Sequence, residues 1–202
     1  VATLIISDVI GNDMASIGSG PCYPDSSTFA QCLEIVDQYN LADKIPTPAM
    51  DRLTMGAQGK IHETPKPDDP IFQNVDNIIL ADNDKAIQNA CKTARKLGIK
   101  TLVHPAKLQG EAKDMGPELV RYARGLKQKN MVPPQGLLMV AGGETTVTIQ
   151  GDGVGGRNQE LALAAINSMT PQDNIHILAA GTDGSDGPTD AAGAIANPDI
   201  LS

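Results

Sequence analysis

The chain has 202 residues, of which 41% are hydrophobic, only 2% aromatic and none tryptophan, and it carries a formal net charge of −8. That length allows one large or two small domains around a sizeable aliphatic core of Ile, Leu, Val and Ala, the usual filling of parallel α/β sheets. The acidic balance argues against general binding to nucleic acid or to an anionic membrane surface, while leaving room for a local phosphate site.

Taken in chain order, Val1–Ile6 is a short apolar run rich in β-branched residues and reads as a strand ending at Ser7-Asp8. A Gly/Pro/Ser-rich loop runs from Gly11 to Ser27, with Ser26 or Ser27 as N-caps for a helix whose spacing is set by Phe29, Cys32, Leu33, Ile35 and Val36. Pro46 and Pro48 break the chain after that helix, and Met50–Met55 forms a short helix. Gly56 to Pro70 is poor in hydrophobic residues and carries three prolines, the best place for a linker.

Beyond it, Asn77–Leu80 reads as a strand, Asp84–Leu97 as a helix stopped by Gly98, and Thr101–Val103 as a strand. A helix starting near Gly110 contains Leu119–Leu126. Leu137–Val140 and Thr145–Ile149 are strands on either side of Gly142-Gly143-Glu144. Asn158–Met169 is a helix, and Ile175–Ala180 and Ala194–Ala196 are strands. Strands alternating with helices predict an α/β fold: two layered αβα domains with mostly parallel or mixed sheets, residues 1–70 and 71–202, the first incomplete. An opening directly in an apolar strand without Met reads as a fragment of a longer enzyme.

The three cysteines, Cys22, Cys32 and Cys91, lack a C-x-x-C pair and read as reduced, cytoplasmic thiols rather than a disulfide or zinc framework. No apolar run approaches the roughly 18 residues of a membrane span. His62, His104 and His176 are isolated and receive no role.

Chemistry concentrates in the last third. Arg157 opens a helix after Gly155-Gly156; its planar fork suits a phosphate or carboxylate, and the amides of Asn158 and Gln159 would add dipole-aligned donors. The plainer alternative pairs Arg157 with Glu160 or Asp152 on the surface. Gly143, Glu144 and Thr145 offer backbone donors, a carboxylate and a hydroxyl, or else a simple β-turn. Asp183, Asp186 and Asp190 set hard oxygens among glycines, which suits Mg²⁺, although Asx-turn caps explain them equally and the spacing is not that of an EF-hand. Asp8 stands at the C-terminal tip of the first strand, where catalytic carboxylates of α/β enzymes sit, or where a loop cap would. Gly151–Gly156 fits G-x-G-x-x-G, but Arg157 at the helix start and a misplaced acid (Asp183 lies inside a second glycine loop) weaken that dinucleotide fingerprint. An anion site beside a carboxylate site is the equipment of phosphoryl transfer.

Ile5-Ile6-Ser7-Asp8-Val9-Ile10-Gly11-Asn12-Asp13, Ile17–Pro21, Gly142–Val147, Gly155-Gly156-Arg157-Asn158-Gln159-Glu160-Leu161 and Gly181–Asp190 together resemble the glycerate 2-kinase family, the family of the MOFRL domain, also labelled hydroxypyruvate reductase. The resemblance runs nearly end to end, with three spaced motifs in order. It implies ATP-dependent phosphorylation of D-glycerate at the 2-hydroxyl, with Mg²⁺, in the cleft of a two-domain α/β enzyme. Carried over, Arg157 contacts substrate or phosphate and Asp8 lies on the first-domain side of the cleft. On the residue chemistry given above, Gly143, Glu144, Thr145, Gly155, Gly156 and Asn158 are the candidates for binding substrate or phosphate, and Asp183 and Asp186 for holding the metal. Asn12 stands where the family commonly has Asp. The family's N-terminal part with a catalytic Lys has no counterpart here, so this stretch alone is expected to lack kinase activity. The expected partners are glycerate and a nucleotide, with no nucleic acid or membrane, and a homodimer is compatible with the reading. The competing readings are a nicotinamide-dependent hydroxypyruvate reductase and a non-catalytic ligand-binding module.

Overall fold

A computed structural model of the chain describes residues 1–201, and it divides after Asp82 into two compact units. In the first, β1 (Ala2–Ile6) pairs in parallel with β2 (Asp76–Ala81), Leu4 facing Ile78, with a register shift at Ile5/Ile6. Between them, α1 (Phe29–Gln38) and α2 (Thr47–Ala57) pack on each other. The cap of α1 is Thr28 rather than Ser26 or Ser27. Its hydroxyl accepts from the Gln31 amide at 3.2 Å, and the Gln31 side chain accepts from the Thr28 amide at 2.9 Å. This reciprocal box satisfies two otherwise orphan donors; Ser27 instead turns onto Asp25. Helix α2 is longer than the predicted Met50–Met55, because Pro48 falls in its first turn, where no intrahelical N–H is needed.

The proline-rich stretch to Pro70 folds back onto the start of α1. The Asp25 amide donates to the Pro65 carbonyl, the Thr64 hydroxyl to Asp25 and the Phe29 amide to Glu63. The division between units falls later, after β2, because that strand takes its partner from β1.

In the second unit α3 (Asn83–Lys96) packs on the parallel pair β3 (Thr101–Val103) and β5 (Leu138–Val140). A second parallel pair joins β4 (Leu108–Glu111) to β6 (Gly143–Thr146). Helices α4 (Ala112–Gln128) and α5 (Arg157–Ser168) make the central contact, and α5 covers the antiparallel pair β7 (Ile177–Ala180) and β8 (Gly193–Ala196). The core around them is small and aliphatic: Ala112, Val120, Ala162, Ala165 and Ala196 are all but inaccessible. The fold is therefore α/β with mostly parallel pairing, as the alternation predicts, and each sheet has two strands among the described residues.

Two further elements differ from the sequence reading. Leu108–Glu111 is a strand, hidden by a polar, glycine-containing run without a β-branched residue. The predicted strand to Ile149 stops at Thr146. Glu111 draws the next segment out of the ladder, accepting from the Thr148 amide at 3.1 Å and its hydroxyl at 2.9 Å.

Candidate functional site

Two segments of the second unit converge on the first turn of α5. Strand β6 brings Gly143, Glu144 and Thr145. Gly143 has φ 155°, a glycine conformation, and any side chain there would meet the Leu108 backbone of β4. Thr145 is buried, whereas Glu144 is only partly covered and forms an ion pair with Arg157, Nη1 to Oε1. Arg157 is the first residue of α5, so its pairing partner is Glu144 rather than the helix neighbour Glu160 or the loop residue Asp152.

The second segment is the loop after β7. Asp186, 2% exposed, accepts from the Asn158 amide at 2.9 Å, the Asn158 side-chain nitrogen at 2.9 Å and the Gln159 amide at 2.8 Å. The orphan donors of the helix start are thus consumed by a carboxylate of the chain itself. Gly156, the N-cap residue, is extended and leaves no space for a Cβ against Asp186. Gly155 precedes it in the loop. Burial pushes the Asp186 carboxyl up, but the amide hydrogen bonds from Asn158 and Gln159 outweigh it and hold the group below its ordinary range.

Asp183 is exposed and turns onto Ser185, accepting from its amide at 3.2 Å and its hydroxyl at 2.9 Å. Those bonds lower its pKa, with a smaller contribution from the charge of Arg157. Arg157 therefore sits in the field of two carboxylates, Glu144 and Asp183.

These contacts bear on two expectations. The amides of Asn158 and Gln159 cannot cradle a phosphate while they serve Asp186, so anion affinity at this turn rests on the guanidinium. The donor set also does not fit Mg²⁺ on Asp183 and Asp186. N–H groups point at the Asp186 oxygens where a cation would have to approach, and among the described residues no three His, Cys, Asp or Glu side chains gather around a common point.

In the first unit Asp8 is exposed, just beyond β1, next to buried Ser7. Asn12, with φ 55°, donates its side-chain amide to Asp82 at 2.8 Å, tying the loop after β1 to the end of β2. Asp82 thereby joins Asp8 at the C-terminal ends of two paired parallel strands, the side where α/β sheets hold ligands. Its position directly after Ile79-Leu80-Ala81 was the available signal, and sequence spacing alone does not single it out. Asp8 and Arg157 belong to different units.

Fold and residues together define an α/β protein that exposes acidic groups at parallel strand ends and an arginine–carboxylate pair at a helix start. Residues 1–54 match a Domain of unknown function (DUF4147) and residues 137–202 the MOFRL family. Over 95% of its length the chain is 38% identical to a glycerate 2-kinase of Pyrococcus horikoshii, covering 43% of that protein. Over its whole length it is 34% identical to a protein of Agrobacterium vitis named as a putative hydroxypyruvate reductase, covering 50% of it. The crystal structure of a glycerate kinase from Thermotoga maritima superposes with a TM-score of 0.79 at 33% identity, over 98% of this chain and 45% of that one. The chain is thus similar to glycerate 2-kinases over nearly its whole length and carries the MOFRL segment at its C-terminal end. It spans half or less of the length of these relatives.

Proposed function

We propose that the chain forms part of an ATP-dependent glycerate 2-kinase, which transfers the terminal phosphoryl group of ATP to the 2-hydroxyl of D-glycerate, giving 2-phospho-D-glycerate and ADP. The observation that carries this reading is the Arg157 guanidinium at the start of α5, inside the MOFRL segment, held by Glu144 through one terminal nitrogen. A guanidinium engaged at one nitrogen keeps donors for a second anion, and charge on a loose phosphoryl transition state is what such a group stabilises. Gly143, Glu144, Thr145, Gly155, Gly156 and Asn158 would shape the wall around it. Asp8 is proposed to orient or deprotonate the glycerate hydroxyl, a contribution worth about 10²–10⁴ in rate. No residue of this chain is assigned to Mg²⁺.

A nicotinamide-dependent hydroxypyruvate reductase is the second reading, favoured by the name of the Agrobacterium vitis relative. Asp186 speaks against it: a pyrophosphate at the amides of Asn158 and Gln159 would meet a buried carboxylate of its own sign. The test is an assay of the active enzyme carrying this sequence with ATP and D-glycerate, beside NADH and hydroxypyruvate. Formation of 2-phosphoglycerate supports the kinase; NADH oxidation without phosphoryl transfer supports the reductase. Neither activity, with binding of one ligand in calorimetry, would leave a binding module.

A further inference from the structure

Val120 and Asp186 are the largest side chains that are fully buried among the described residues, and only Asp186 is charged. A buried carboxylate is kept where its hydrogen bonds are complete, and here each oxygen accepts from the first turn of α5. The backbone around it is secured as well: the Thr189 hydroxyl donates to the Asp186 carbonyl at 2.8 Å and accepts from the Gln159 side chain at 3.0 Å. The result is a cross-brace between the loop after β7 and Asn158 and Gln159, the two residues that follow Arg157 in the first turn of α5.

We infer that Asp186 is a positioning residue: by capping α5 it fixes the aim of Arg157, and it acts on turnover through that arginine and not through a cation. The inference rests on the catalytic reading of Arg157. Three observations join in it. Asp186 bonds the amides of the two residues after Arg157, it crowds the Cα of Gly156 before Arg157, and its own oxygens are occupied by N–H donors. Loss of the cap frees the first turn to fray, and a reacting group displaced by about 1 Å loses on the order of 10²-fold in rate at most.

The experiment is a double-mutant cycle on the active enzyme carrying this sequence, with Asp186→Ala, Arg157→Ala and the pair, reading kcat and KM for D-glycerate and ATP, and magnesium titrations throughout. Asp186→Ala is expected to lower kcat by about tenfold or more with both KM values within about twofold, the pattern of an interaction realised in the transition state. In the Arg157→Ala background the same change should have almost no further effect, since coupled residues are not additive. Asp186→Asn keeps one accepting oxygen and should fall between wild type and alanine, at unchanged magnesium dependence.

An unaffected Arg157→Ala enzyme removes the reading beneath the inference. A strong Arg157 effect to which Asp186→Ala adds in full removes the positioning role alone. A raised magnesium requirement in Asp186→Asn assigns the carboxylate to a cation and overturns it. Should Asp186→Ala fail to fold, the same cycle with Asp186→Asn decides among these outcomes.

Discussion

Helix α5 carries an arginine–carboxylate pair near each end, and the two are built differently. At its C-terminal end Arg124 of α4 grips Asp173 with two nitrogens, Nε to Oδ1 at 2.7 Å and Nη2 to Oδ2 at 2.6 Å, and also holds the Ser168 carbonyl at 2.7 Å. Asp173 is 11% exposed and takes further bonds from the Thr170 amide and hydroxyl. At the N-terminal end Arg157 meets Glu144 through one nitrogen, and the two side chains are 43% and 34% exposed. A bidentate, half-buried pair with both carboxylate oxygens engaged is a fastening. A single-contact, wetter pair is worth about 0–1 kcal/mol to folding and leaves its charge available. The same residue types thus serve structure at one end and, on our proposal, chemistry at the other.

The largest effect that separates the ends is kinetic. Arg157→Ala is expected to lower kcat by on the order of 10²–10³, and Arg157→Lys, which keeps the charge but loses the fork, by at least about tenfold. The melting temperature should hardly change in either. Turnover kinetics beside a thermal melt check this. An Arg157→Ala protein that unfolds while its folded fraction turns over normally would make the two ends alike.

Next comes stability. Arg124→Ala removes two hydrogen bonds from Asp173 and one from the Ser168 carbonyl, and should lower the unfolding midpoint. Chemical denaturation reads it directly, and a midpoint equal to that of wild type would remove the fastening role. The smallest effect is on pH dependence. The Arg124 hydrogen bond, offset in part by burial and aided by Thr170, holds the Asp173 carboxyl far below its ordinary value of 3.8. Because the native pKa is depressed, the pair stabilises fully above that ordinary value, and its contribution disappears as pH falls through the native one. Wild type should therefore lose stability in acid more steeply than Arg124→Ala, in melts taken between about pH 5 and pH 2.

How much the sequence could reveal depends on the range of the interactions involved. Thr101–Val103 and the helices around Ile87 and Leu161 were legible because periodicity is local. So was Arg157 as the residue opening a helix after two glycines. Its partner was not: Glu144 lies 13 residues away on strand β6, and the local candidates Asp152 and Glu160 looked equally good. Asp186 reads as one carboxylate among three in a glycine loop. Only the fold, which carries it 28 residues back to Asn158, reveals a helix cap where metal chemistry was expected. The alternative of self-capping carboxylates was correct in kind for Asp183, which bonds Ser185 two residues on. Strand β4 escaped for a related reason, since its strand character comes from pairing with β6 and not from its own residues.

The alanine-rich contact beneath α5 has a mechanical consequence. Ala162 and Ala165 have no rotamers to lose on burial and none through which to repack. Their seat against α4 is set by backbone separation, so the helix responds to a push as a rod. With 12 residues it is about 18 Å long, and a tilt of about 5° pivoting at Ser168 becomes about 1.5 Å at Arg157. Loosening the far fastening at Asp173 would in this way reach the opposite end as a mis-aimed guanidinium, transmitted by geometry rather than by any chain of charges.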